Sequence, residues 1–201
     1  MKKFALTLVL AAAVAGCATP AYVLPVEVTR FVSDSPAYLG QGTITIEAAP
    51  GTMADGLQFA AYADAVRGEL ESLGYRVVPQ NGDQVAQIGL ERYVAAGDGR
   101  RGGGVGVGAG GSTGRYGSGV GVGVGIDLTR LLAGAPAERI ERLVSVTIAR
   151  PGNATNLWEA RAAMVASDNS DFAGDAAAAE RMADALFRDF PGTSGETIAV
   201  E

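Results

Sequence analysis

The residues of this chain that could carry out chemistry are mainly carboxylates. The 201 residues include 22 Asp and Glu, one Cys and no His, so serine–histidine or cysteine–histidine catalysis has no base and the commonest metal ligand is missing. Two acid pairs, Asp168 with Asp171 and Glu138 with Glu141, leave a hydrolase that uses carboxylates alone as one alternative. One pair precedes a predicted helix and the other lies at the start of a predicted strand, so we interpret both as capping or solvated residues.

The N-terminus has the pattern of a secretory leader. Lys2 and Lys3 precede an apolar run over residues 4–14, which is too short to span a bilayer as a helix but is typical of a signal peptide. The leader is therefore expected to target the chain and then to be removed.

The segment that follows, Val14-Ala15-Gly16-Cys17, resembles the lipobox of bacterial lipoproteins. The resemblance implies a signal peptide over residues 1–16, cleavage between Gly16 and Cys17, and acyl chains such as palmitate on Cys17, which would anchor the chain to a membrane. Ala18, in the sorting position after the cysteine, implies the outer membrane, with the domain facing the periplasm. An ordinary secretory leader with a chance cysteine is the alternative. Residues 17–25, which contain two prolines, are interpreted as a short lipidated tether.

The charge of the chain narrows the choice of partners. The net charge is −6, and loss of the two lysines with the leader makes the mature chain −8, with 14 Arg and no Lys. Nucleic acid is therefore not an expected partner, because no basic stripe forms. The acids lack the spacing of a calcium loop, and we expect no metal and no cofactor.

Apolar periodicity predicts the elements that would position any site. Alternation predicts strands over 26–32, 43–48, 75–78 and 85–94, and a hairpin of strands over 143–150 and 158–164 around the turn Pro151-Gly152-Asn153. Steps of three and four residues from Phe59 to Leu73 predict a helix with Thr52 or Asp55 as its cap and Gly74 as its stop. A second helix is predicted from Phe172 to Phe190, ended by Pro191-Gly192.

This order of elements predicts one α+β domain over residues 26–192, with two helices packed on one face of a mainly antiparallel or mixed sheet, followed by a tail at 193–201. A glycine-rich insert interrupts the domain at about 98–126. Its Gly-Val alternation is consistent with a hairpin, and its composition is equally consistent with a low-complexity loop. Its resemblance to a dinucleotide-binding loop is superficial, since no strand–turn–helix unit surrounds it.

Several short segments carry a family resemblance over residues 26–192: Leu57-Gln58-Phe59 with Tyr62, Leu70–Tyr75, Ala86–Leu90, the glycine-rich insert, Leu157–Ala160 and Leu186–Pro191. On these segments the chain resembles bacterial lipoproteins that carry the domain of unknown function called DUF4136. The resemblance implies location and fold and transfers no catalytic residue.

The sequence therefore predicts a non-enzymatic outer-membrane lipoprotein whose domain is an envelope adaptor, binding another envelope protein through the glycine-rich hairpin or a sheet edge. One alternative is a carrier that holds a small apolar or lipid ligand between sheet and helices. The carboxylate-only hydrolase is the other alternative, and it would require two carboxylates that converge in a cleft.

Overall fold

The computed structural model of the chain describes residues 19–34, 36–95, 137–152 and 156–201. Contacts divide the chain into two compact units. One unit, residues 1–20 and 96–136, lies almost entirely outside the described residues, and with it lie Gly16, Cys17 and the glycine-rich insert. The other unit, residues 21–95 and 137–201, is the folded domain.

The domain consists of seven strands and two helices, which confirms the predicted α+β class. The elements, in chain order, are β1 (Val26–Val32), β2 (Thr43–Ala48), α1 (Leu57–Ser72), β3 (Arg76–Val77), β4 (Gln84–Ala95), β5 (Arg139–Ala149), β6 (Asn156–Ser167), α2 (Asp175–Phe187) and β7 (Thr197–Val200). A short 3-10 turn at Pro36–Tyr38 connects β1 to β2.

All seven strands form one mixed sheet in the order β3-β2-β4-β5-β6-β1-β7. β2 is parallel to both β3 and β4, whereas β4, β5, β6, β1 and β7 pair antiparallel. The chain returns from β2 through α1 to place β3 and β4 on either side of β2, as parallel pairing requires a crossover. Among the described residues, the sheet therefore has two edge strands, β3 and β7.

One face of the sheet and the two helices enclose the core. The helix face of the sheet carries the apolar half of each alternating strand, such as Val26 and Val28 of β1, which are fully buried. Trp158 of β6 is the largest of the fully buried side chains, and its ring lies 5.2 Å from that of Phe187 and 5.1 Å from that of Phe190. The space between Trp158 and the C-terminal end of α2 is therefore filled by aromatic rings.

Helix α1 follows the predicted periodicity, with Tyr62, Val66 and Leu70 buried. The predicted stop is confirmed, because Gly74 has a φ of +101° directly after the C-cap residue, a conformation that costs glycine least. The predicted caps are wrong: the N-cap is Gly56, without a side-chain hydrogen bond. The Thr52 hydroxyl instead accepts a hydrogen bond from the Leu90 amide at 3.3 Å.

Helix α2 is shorter at both ends than the sequence predicts. The carbonyls of Phe172 and Ala173 accept hydrogen bonds from the Arg142 guanidinium at 3.1 and 2.6 Å, so these residues lie before the helix rather than in it. At the other end Arg188 is the C-cap, so Pro191-Gly192 does not terminate the helix. Phe190 reaches Trp158 from beyond the last turn.

The predicted tail at 193–201 is not a tail, because β7 pairs antiparallel with β1 from Thr197 to Val200. The predicted tether at 17–25 is also bound to the domain along its second half. The Leu24 amide donates to the Val165 carbonyl at 2.9 Å, and the Ser167 amide donates to the Tyr22 carbonyl at 3.0 Å. Both segments are short and are stabilised by the strands they pair with, so their own sequences do not predict the pairing. Within the described ranges, no helix is long and apolar enough to cross a membrane.

Candidate functional site

The face of the sheet that turns away from the helices is arranged in rows across the strands. The register places Gly89 of β4 opposite Ser145 of β5, Ser145 opposite Arg161 of β6, and Arg161 opposite Thr29 of β1, which pairs with Thr197 of β7. We call these five residues the central row. Because side chains alternate between the faces of a strand, the helix-free face carries the residues that alternate with the core.

The rows on either side of the central row are set by the same register. One contains Gln87, Thr147, Glu159 and Phe31, and the other contains Glu91, Leu143, Ala163, Glu27 and Ala199. These three rows therefore combine hydroxyls, carboxylates and one arginine with few large apolar groups. Their composition differs sharply from that of the core face.

A trough crosses this face, with a cavity volume of about 910 Å³. The loop Ala49–Thr52 lines one end of the trough, and Thr29 and Thr197 line the other. Gly89 has no side chain, so the floor of the trough is low at this position. A Cβ there would lie 2.4 Å from the Ser145 hydroxyl oxygen. A small residue at this point keeps the trough open.

Hydrogen bonds within the trough tie its polar groups to one another. The Arg161 guanidinium donates to the Glu159 carboxylate at 2.7 Å, and the hydroxyls of Thr29 and Thr197 lie 2.8 Å apart. The bond between Thr29 and Thr197 joins β1 to β7 through side chains, in addition to the backbone pairing of the two strands. The trough can therefore offer hydroxyl and carboxylate oxygens and one guanidinium to a polar ligand.

The carboxylates of the trough are spaced too widely for the paired-acid chemistry considered above. Glu27 and Glu159 are four residues apart in register on neighbouring strands, which is roughly 13 Å along the sheet. Glu91 shares a row with Glu27 but lies three strands away, roughly 14 Å. Side chains stand roughly perpendicular to a sheet, so both separations exceed the ~9.5 Å upper limit for acid pairs in glycosidases. The trough thus offers no support for a carboxylate-only hydrolase.

The acid pairs singled out in the sequence lie elsewhere. Asp168 and Glu138 meet where β5 begins and β6 has ended: the Asp168 carboxylate accepts from the Glu138 amide at 3.0 Å, and the Asp168 amide donates to the Glu138 carbonyl. Neither Asp168 nor Asp171 caps α2, whose N-cap is Gly174. In the described part of the chain, no group of three or more His, Cys, Asp or Glu side chains is arranged to hold a metal ion.

The β7 strand forms the edge of the sheet next to the trough. The Arg30 amide donates to the Glu196 carbonyl at 3.2 Å, and hydrogen-bonded pairs alternate along an antiparallel ladder. Ile198 and Val200 therefore direct their backbone groups to β1, while the amides and carbonyls of Thr197 and Ala199 face outward. Among the residues that the structure describes, no strand pairs with this outer side.

Two buried arginines on the core face hold the ends of α2 and were missed in the sequence. Arg142 contacts the Asp175 carboxylate at 3.2 Å at the helix N-terminus, and Arg30 donates to the carbonyls of Ala185 and Leu186 at 3.0 and 3.2 Å at the C-terminus. Burial lowers the pKa of Arg30, an effect opposed by the charges of Asp189 and Glu196.

The signal for these arginines is present in the alternation, because each occupies an apolar-phase position of its strand, after Val26 and Val28 or between Ile140 and Val144. A charge in that phase indicates a buried, paired group rather than a solvated one. Both arginines position α2 and do not belong to the trough.

Comparisons with known proteins give the chain no family. No protein-family model matches it, and no curated protein matches it either. Among solved structures, the chain is similar to PelC from Paraburkholderia phytofirmans, solved as a dodecamer, with 14% identity over 81% of this chain and 94% of that chain and a TM-score of 0.43.

A PDZ domain protein from Parabacteroides distasonis also matches, with 14% identity over 95% of this chain and 41% of that chain and a TM-score of 0.48. The chain thus spans less than half the length of that protein. At these values neither likeness bears on function.

Proposed function

We propose that this chain is a non-enzymatic, lipid-anchored binding module of the bacterial envelope, and that its domain binds an extended segment of a partner protein along β7. The observation that carries the proposal is the outer side of β7, where the backbone groups of Thr197 and Ala199 face away from the sheet. Addition of a strand to an exposed sheet edge is a common mode of peptide recognition, in which main-chain hydrogen bonds provide affinity.

The charge around β7 indicates the chemistry of the partner. Exposed Glu196 and Glu201 flank the strand, and Glu27 lies on the neighbouring β1. A second copy of the same edge would bring like charges together, whereas a segment with Arg or Lys beside its apolar residues would be attracted. The partner segment is therefore extended and basic.

The anchor is proposed from the lipobox resemblance at Cys17, which lies outside the described residues. A domain that is anchored but catalyses no reaction is consistent with an adaptor that holds a partner at the membrane. The periplasmic face of the outer membrane remains the proposed location, and the DUF4136 resemblance remains part of this proposal.

Strand addition can be tested with a photo-crosslinking amino acid at Thr197, in the lipoprotein expressed in intact cells. We expect a discrete adduct with an envelope protein. Ala199→Pro should abolish the adduct, because proline removes an outward amide without disturbing the ladder to β1. Ala199→Val keeps the amide and should retain the adduct.

Fluorescence of Trp158 in the purified variants shows whether the domain is still folded. An adduct that persists in a folded Ala199→Pro variant, or the absence of any adduct, would contradict strand addition at this edge.

A second candidate function is supported by the trough itself, which could bind a small polar molecule through Ser145, Arg161 and the two threonine hydroxyls. This differs from the alternative of a carrier for an apolar ligand, whose site would lie between sheet and helices, where Trp158, Phe187 and Phe190 pack together. Isothermal titration with compounds released from the purified native protein would test for such a ligand, and Arg161→Met should weaken its binding.

A further inference from the structure

Three strands and the N-terminal segment of the domain meet at one end of the sheet. The register joins Ala95, the last residue of β4, to Arg139, the first of β5, and Arg139 to Ser167, the last of β6. The Tyr22 amide donates to the Ser167 hydroxyl at 3.0 Å. Tyr22 is therefore attached at this end of the sheet.

Exposed apolar side chains are concentrated at the same end. Nine large hydrophobic residues are exposed in the described part of the chain. Four of them lie here, namely Tyr22, Leu24, Tyr93 and Val94. We call these four residues the apolar end.

The strand pairing sets how far apart the residues of the apolar end lie. Tyr93 lies opposite Glu141, and Glu141 lies opposite Val165, whose carbonyl accepts from the Leu24 amide. With strands about 4.8 Å apart, Tyr93 and Leu24 are roughly 14 Å from each other. Clustered apolar side chains on a protein surface commonly mark a surface that is covered in the cell.

The length of the chain before Tyr22 indicates what covers this end. Four residues lie between Cys17 and Tyr22, and the five steps along the chain can span at most about 18 Å even when it is fully extended. The opposite end of β4, at Gln84, is eleven residues or roughly 36 Å from Ala95. Acyl chains on Cys17 would therefore hold the apolar end within about 18 Å of the bilayer, a limit that the chain length does not impose on the far end.

The two tyrosines at this end match the chemistry of a membrane interface. Tyr22 and Tyr93 each carry an apolar ring with a polar tip, a type enriched at the level of the lipid headgroups. The exposed Arg92 can extend its charged head to phosphates while its stem stays beside apolar groups. Arg139 is paired with Glu141 at 3.5 Å, and the Tyr93 hydroxyl donates to Glu91, so this end also carries carboxylates that would stay in water.

We propose that the apolar end lies on the lipid surface, with Tyr93 and Val94 entering the headgroup region, so that the anchored domain holds a fixed orientation and presents the opposite end of the sheet to the periplasm. This inference rests on the proposed lipid anchor at Cys17. It does not depend on which partner binds β7.

Two tyrosines at opposite ends of β4 provide a matched test. Tyr93 is 55% exposed, and Tyr38 is 45% exposed and lies beside Gln84, whose amide donates to the Tyr38 carbonyl at 2.8 Å. Tyr93→Cys and Tyr38→Cys each introduce the only free thiol into the lipidated chain, since the native cysteine is acylated. Each thiol is labelled with the fluorophore NBD.

The labelled lipoproteins are reconstituted into vesicles of phosphatidylethanolamine and phosphatidylglycerol, with and without spin-labelled lipid that quenches NBD near the bilayer. We expect the label at position 93 to be quenched and shifted to the blue, and the label at 38 to retain its emission. The same labels in the Cys17→Ser chain, which lacks the anchor, should show no quenching.

Flotation of the vesicles separates the two ways in which the proposal could fail. If the wild-type chain does not float with the vesicles, the anchor is wrong and the orientation falls with it. If it floats but both labels are quenched alike or neither is quenched, the anchor stands and the fixed orientation is refuted. A label at 93 that is shielded in the absence of lipid would assign the apolar end to protein contacts, within the chain or between two copies, and would also refute the proposal.

Discussion

Arg142 provides a direct test of how α2 is held on the sheet. Its side chain is 1% exposed and its guanidinium contacts the Asp175 carboxylate and two backbone carbonyls at the start of the helix. Replacement with methionine keeps most of the volume but removes the charge and all three contacts. The variant therefore isolates the polar clamp from the packing.

The expected cost follows from the burial of both partners. Removal of one partner from a buried ion pair costs about 3–5 kcal/mol. Asp175 is 31% exposed, so water can solvate its carboxylate in the variant, and we expect the lower end, about 3 kcal/mol. For a domain of this size, such a loss lowers the melting temperature by about 6–12 °C.

Urea unfolding of the Cys17→Ser chain, followed by the fluorescence of Trp158, measures this loss. Trp158 is the only tryptophan, and it stacks on Phe187 at the far end of α2. Arg161→Met is the matched control, because its ion pair with Glu159 is on the surface and Arg161 is 69% exposed; we expect about 0.5 kcal/mol or less. Equal losses for the two variants would refute the role of Arg142 as a buried clamp.

Three further outcomes are expected from the same unfolding assay. Burial raises the pKa of Tyr62 from 10.0 to about 12, so the unfolded chain ionises first and stability should fall between pH 10 and about 12 by about 1.4 kcal/mol per pH unit; Tyr62→Phe should flatten this slope, and an unchanged slope would count against a buried neutral phenol. Gly192→Ala should cost about 2 kcal/mol, because φ is +75° and the new Cβ would lie 2.9 Å from the Arg30 side chain; a neutral result would show that the backbone relaxes there. Gly89→Ala should cost about 1 kcal/mol by overpacking against Ser145, and Ser145→Ala in the same chain should restore most of the loss; failure of this rescue would place the clash elsewhere.

The strands and helices with a clear apolar period could be predicted from the sequence. β1 and β2 begin and end at the predicted residues, and the hairpin of β5 and β6 lies where alternation on both sides of Pro151-Gly152 indicated it. These elements bury one face, and a buried face imposes its period on the local sequence.

The order of the strands could not be predicted, because it depends on contacts between distant segments. The parallel pair of β2 and β4 encloses α1 and β3, and β7 is four residues long, too short for alternation to be distinctive. A strand of that length is stabilised by its partner β1 and not by its own pattern.

The trough could not be predicted from the sequence either, because it is formed by the register of five strands rather than by a motif. Gly89, Ser145 and Arg161 come from three strands, and no spacing in the sequence relates them. The β7 edge also depends on strand pairing and could not be located from the sequence, although the sequence did suggest a sheet edge as one surface for a partner.

The central claim is that the domain is held at a membrane through Cys17, and intact mass with membrane fractionation tests it most directly. The protein is expressed with its own leader beside a Cys17→Ser variant. We predict that the wild type begins at Cys17, carries the added mass of lipid and sediments with the outer membrane, whereas the variant does none of these. If both proteins are soluble and unmodified, the anchor, the location and the orientation proposed for the apolar end are all contradicted.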